Sequence, residues 1–108
     1  MRRISVGKNL TAGTDVTVYT VPNGYTAGWN LMYLFNNSGS TKACSVIWRD
    51  GSDIYVFNGT VANGAYVKLE GNGSAVQMEE GDTVIMHSEA GSSFSAICTF
   101  ELEKKQGI

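Results

Sequence analysis

Charge, proline, histidine and cysteine are all scarce in this chain of 108 residues. Charged residues make up 17% of it, whereas an ordinary soluble domain carries about a quarter. The formal net charge is −2. There is thus no basic field to hold a phosphate backbone by counterion release, and nucleic acid is not an expected partner. No window approaches the roughly 18 apolar residues of a membrane helix, so no membrane partner is expected either. Met1-Arg2-Arg3-Ile4 carries two basic residues with no apolar stretch behind them. It does not read as a signal peptide, and folding in a reducing cytoplasm is the expectation.

His87 is the single histidine. As a catalytic base it would need a nucleophile and an orienting group. Neither is legible nearby, and a surface or interface histidine is expected. Cys44 and Cys98 are the only cysteines, each among apolar neighbours and in no CxxC or Cys/His cluster. They read as small buried hydrophobes. A disulfide between sheets stays open as the alternative, because it depends on Cα atoms lying within about 7 Å. Pro22 is the only proline. It opens Pro22-Asn23-Gly24, where Gly24 can take the positive φ that a type II turn requires.

What the chain does have is turn residues, 13 glycines among them, dividing short runs of alternating apolar and polar residues. Runs at 4–10, 16–21, 29–35, 43–49, 54–57, 66–69, 75–78, 83–87 and 94–102 all read as strands. In 16–21, Val16, Val18 and Thr20 are expected on one face, with Thr17, Tyr19 and Val21 on the other. In 29–35, Trp29, Leu31, Tyr33 and Phe35 share a face while Met32 and Leu34 make the other apolar too. That predicts a central strand, or one whose outer face a partner covers. Cys44, Val46 and Trp48 are expected inward. The segment 94–102 alternates most regularly, with Phe94, Ala96, Cys98, Phe100 and Leu102 on one side. Asp50-Gly51, Asn58-Gly59 and Asn63-Gly64 mark turns. No segment shows a helical period. The expectation is one all-β domain over 1–108, an antiparallel two-sheet β-sandwich of jelly-roll-like order with about eight or nine short strands, with a closed barrel as the alternative. Residues 1–3 and 104–108 are expected to fray.

No catalytic, metal or cofactor residues are assigned. Glu79, Glu80 and Asp82 flank Gly81 and read as a solvated turn, not as the paired carboxylates of a glycosidase. Asp50-Gly51-Ser52-Asp53 reads as a hairpin and lacks the twelve-residue ligand set of a calcium loop. Gly71-Asn72-Gly73-Ser74 has no Gly-Lys-Ser/Thr ending and no following helix, so it is no phosphate loop. Between Asn9 and Trp48 the only charges are Asp15 and Lys42. Such a surface suits dense packing against neighbours, and Tyr25, Trp29 and Met32 are the candidate interface residues.

One resemblance narrows the expectation. Val18-Tyr19-Thr20-Val21-Pro22-Asn23-Gly24-Tyr25-Thr26-Ala27 resembles the start of small β-sandwich virion proteins of tailed bacteriophages. In these, a strand ending in Tyr-Thr-Val-Pro plus Gly runs into a second ending in Asn and a Ser/Gly turn. Here the second part is residues 31–35 followed by Asn36-Asn37-Ser38-Gly39-Ser40. Leu69-Glu70-Gly71 and Met78-Glu79-Glu80-Gly81-Asp82-Thr83-Val84 are similar as well, with Gly-Asp ahead of the penultimate strand. The likeness spans roughly residues 16–103 and brings no catalytic residue with it. It implies a capsid decoration or cement protein on the outside of the head. Such a protein would bind the major capsid protein, form a homo-oligomer (dimer or trimer) and reside in the virion. A tail or head–tail accessory role is the alternative. A carbohydrate-binding β-sandwich module is the reading from another class.

Overall fold

A computed structural model describes residues 2–71 and 75–105 of the chain. Among the described residues there are nine strands and no helix: β1 (Arg2–Asn9), β2 (Asp15–Thr20), β3 (Tyr25–Asn36), β4 (Lys42–Arg49), β5 (Asp53–Val61), β6 (Tyr66–Glu70), β7 (Val76–Met78), β8 (Thr83–Ser88) and β9 (Phe94–Lys104). They form two antiparallel sheets. One has the order β1-β9-β3-β6, with β7 also paired to β3; the other has the order β2-β8-β4-β5. Apart from the β4–β5 hairpin and the β6–β7 pair, each strand crosses to the opposite sheet. This is the jelly-roll arrangement that the spacing of strands and turns predicts.

The core lies between the sheets. Phe94, Ala96, Cys98, Phe100 and Leu102 of β9 all point inward and are at most 5% exposed. Val46, Val84 and Met86 meet them from the other sheet. Full burial of such a side chain is worth about 1.5–3 kcal/mol, so this strand carries much of the packing energy.

Three bulges depart from simple alternation. On β2 the register slips between Thr17 and Tyr19. Val18 and Tyr19 therefore both turn to the core, with Tyr19 stacked on Phe100 at 4.4 Å between centroids. On β3 the slip falls between Trp29 and Leu31. Trp29 is buried with Met32 and Leu34, while Leu31, Tyr33 and Phe35 face outward. The shared face expected for Trp29, Leu31, Tyr33 and Phe35 is thus broken at Asn30. On β5, Phe57 pairs with Val46 and Tyr55 with Ile47, which leaves Val56 as the extra residue.

Some boundaries differ from the sequence reading. β5 runs straight through Asn58-Gly59 to Val61. A Cβ at Gly59 would sit 3.3 Å from the Phe57 ring, so this glycine makes room for a side chain within the strand. Arg2 and Arg3 are paired to Leu102 and Glu101, and Lys104 to Tyr25, so these expected loose ends belong to the sheet. Met1, residues 106–108 and most of the Gly71-Asn72-Gly73-Ser74 turn lie outside the described residues.

Two polar groups hold the loops. Asn36 is fully buried, and its Nδ2 donates to the Ser40 and Val61 carbonyls at 2.9 and 2.7 Å. Its Oδ1 accepts from Ser38 N at 2.8 Å. Asp82 Oδ2 accepts from Glu79 N at 2.9 Å and from the Trp48 indole at 3.2 Å, closing the corner before β8.

Candidate functional site

The residues able to do chemistry are dispersed by this fold. Among the described residues, no three His, Cys, Asp or Glu side chains gather where a metal could sit. Also among them, no helix is long and apolar enough to cross a membrane. His87 faces outward from β8, with Nδ1 2.9 Å from Asp15 Oδ1 across the β2–β8 pair. Sequence reading missed this orienting carboxylate, because 72 positions separate the two and only the strand pairing brings them together. Ser45 stands on the other side of His87 in the same row. No hydrogen bond joins Ser45 to His87 among the described residues, and β8 is paired on both sides, so its amides are committed to the ladders.

The carboxylates are likewise engaged locally. Lys105 reaches Glu80 at 2.6 Å and holds its carboxyl below the usual range. Arg49 does the same to Asp53, through Nε at 2.6 Å and Nη2 at 3.2 Å. The thiols are inert. Burial pushes Cys44 up to about 11 and Cys98 up to about 12. Both are free and inward-facing, not joined to each other.

The feature left open is one edge of the sandwich. β5 pairs with β4 on one side, and its other side carries no strand among the described residues. Across the gap, β6 and β7 divide β3 between them, β6 along Leu31–Phe35 and β7 along Ala27–Trp29. Between these edges lies a cleft of about 310 Å³, floored by Trp29, Met32, Val56, Leu69 and Val76, with Glu70 at its rim. The β3 bulge turns Trp29 and Met32 into it, and the β5 bulge supplies Val56. Of the candidate interface residues, Trp29 and Met32 are buried, and both line the cleft. Tyr25 lies elsewhere, half-buried against the core.

The four sheet edges differ in how they are protected. β1 carries Arg2, Arg3 and Lys8; β6 is five residues long with Lys68 and Glu70; β2 carries Asp15 and a bulge. Such charges, short lengths and bulges are the usual guards against edge pairing. β5 carries one charge, Asp53, and one bulge, as β2 does, but at nine residues it is the longest of these edges, and it has no Lys, Arg, Glu or Pro. Ile54 and Tyr55 on it are 41% and 59% exposed.

No protein-family model and no curated protein matches this chain. Among solved structures, one similar fold comes from work on Bacillus endospore appendages, described as a novel family of disulfide-linked pili. It matches with a TM-score of 0.61 at 17% identity, over 97% of this chain and 88% of that one. The β-sandwich is therefore shared. This finding corrects the expectation of a bacteriophage decoration protein, together with its tail-accessory and carbohydrate-binding alternatives. The fold is shared with a protein from that bacterial appendage work, and the comparisons show no link to a phage particle. The motifs behind that expectation are corner chemistry. Gly24 and Gly81 have φ of +83° and +86°, and Asp82 caps its own turn. Any sandwich with these corners selects the same residues. The capsid partner and the virion location rested on that resemblance and are not carried forward.

Proposed function

We propose that this protein is a structural subunit that joins copies of itself into an extended polymer, an edge strand of each copy lying along the free side of β5 in the next. The observation that carries this reading is the long, nearly uncharged β5 edge beside an apolar cleft. Strand addition gains main-chain hydrogen bonds along the edge and seats alternate side chains in the cleft. The contact joins two different surfaces of the molecule, and such head-to-tail contacts extend indefinitely when their rotation does not close a ring. The low charge of the surface favours dense packing. The shared fold with a pilus protein supports the same reading.

In one respect the assembly differs from that neighbour's description. Cys44 and Cys98 are 3% and 0% exposed, so neither thiol can bridge copies of the folded chain. The polymer is held by fit and not by covalent links. Its work is mechanical, and no catalysis is assigned to it.

The test is electron microscopy and light scattering of the purified protein at rising concentration. Wild type is expected to form filaments, unchanged by dithiothreitol. Ile54→Lys places an ammonium on the β5 edge, two residues from the cleft-lining Val56, at a position exposed enough to leave the fold intact, and is expected to abolish them. A wild type that never polymerises, or an Ile54→Lys variant that polymerises equally well, overturns the reading.

A further inference from the structure

The two outer faces of the sandwich are finished differently. On the β2-β8-β4-β5 sheet, the outward Ile47 and Ile85 at the centre are only 5% and 3% exposed, and the exposed apolar side chain is Tyr55 at the β5 edge, 59% exposed. On the β1-β9-β3-β6 sheet, Tyr66, Ile97 and Phe35 stand 58%, 47% and 38% exposed. They form one patch: Phe35 lies opposite Tyr66, Ile97 lies opposite Tyr33, and the Tyr33 and Tyr66 rings meet at 5.6 Å.

The polar side chains around this patch already satisfy one another. Ser5 bonds Thr99 at 3.0 Å, and Ser95 Oγ donates to Asn9 at 3.1 Å. Arg3 pairs with Glu101, and Lys68 with Glu70. Lys68 also sits 5.5 Å from the Tyr33 ring centroid. Burying such a face leaves these side chains paired, which lowers the usual penalty for covering polar surface.

We infer that this face is a second contact between copies of the chain, packed back to back against the same face of another copy. The inference rests on the self-assembly reading for the identity of the partner, and it adds a lateral contact to the one along β5. Area supports it. Four strands about 4.8 Å apart and roughly ten residues long cover on the order of 600 Å². That approaches the roughly 800 Å² per partner of a stable interface. Charge supports it too. Each rim carries a pair of opposite charges, Lys68–Glu70 on β6 and Arg3–Glu101 on β1, so a two-fold axis parallel to the strands brings no uncompensated like charges together, and with the axis near β3 the aromatic patches overlap.

The experiment is sedimentation equilibrium on wild type, on the double variant Tyr66→Lys/Ile97→Lys, and on Ile54→Lys. Both lysine positions of the double variant are exposed, and thermal unfolding checks that the fold is kept. Ile54→Lys is expected to form pairs without polymer. The double variant is expected to lose about thirtyfold or more in the association constant of the pair. If wild type polymerises and the double variant associates as wild type does, this inference falls and the β5 reading stands. If pairs form and depend on Tyr66 and Ile97 but no polymer appears, the β5 reading falls and this inference stands. A wild type that stays monomeric to millimolar concentration assigns the face to some other partner and overturns the inference.

Discussion

Asn36 ties three segments together from a fully buried position. Its amide donates to the Ser40 and Val61 carbonyls and accepts from Ser38 N. Asn36→Ala removes the partner of the Val61 carbonyl in a buried site and of the Ser40 carbonyl and Ser38 N in part-buried ones. Such losses run to about 1–3 kcal/mol each, and urea denaturation is expected to show a loss of about 2–4 kcal/mol in total. The cysteines behave oppositely. Buried thiols at about 11 and about 12 hold almost no thiolate at pH 8, so a thiol reagent is expected to label Cys44 and Cys98 only at the rate of unfolding. The sign of the pH effect follows. Both folded values lie above the ordinary 9.0. The stability tied to the neutral thiols is intact below about pH 9 and is lost as pH rises towards the folded values. Melting temperature is thus expected to fall above pH 9, and the Cys98→Ala variant to show a shallower decline there.

At the scale of the element, corners and bulges decide what each strand presents. Gly24 has φ +83° at the third position of a turn closed by Tyr25 N on the Pro22 carbonyl at 3.2 Å. A Cβ there would meet nothing within 4 Å, so the penalty of Gly24→Val is conformational alone. It is expected to cost about 1–3 kcal/mol by thermal unfolding, against a small change for Pro22→Ala, whose ring stands outside the turn's central pair. An unchanged melting temperature for Gly24→Val would mean that the corner is not built this way. These corners were legible in the sequence because each depends on a local residue type. So was β9, whose five inward residues alternate without interruption. The bulges were not. A slip at Asn30 is written in no local pattern, since Leu31 and Met32 are both apolar and either can face the core. Its consequence, Trp29 turned into the cleft and Tyr33 turned out, depends on β9 and β7 lying alongside. The cleft was hidden for the same reason: Val56, Leu69 and Val76 come from three strands that only the fold brings together.

The whole molecule is a slab of 52 × 26 × 19 Å with few charges and little chemistry on its surface. Its acid behaviour follows from the pairs it does hold. Lys105 keeps Glu80 below the ordinary 4.5, and Arg49 keeps Asp53 below the ordinary 3.8. Both folded values are depressed, so their stabilisation is present above those pH values and is lost as pH falls through the folded ones. Melting temperature is expected to hold from pH 7 to about 5 and then decline, with Glu80→Gln flattening part of that acid limb. Both pairs are solvent-exposed, and the effect is small. What remains is surface that fits other surface: one long, nearly uncharged edge, one apolar cleft and one aromatic face. The most direct measurement is amide hydrogen exchange on dilute and on concentrated protein. The account predicts that the outward amides of residues 53–61 exchange fast when dilute and become protected on concentration, more than those of β1 and β2. Unchanged exchange along β5 in assembled material would contradict it.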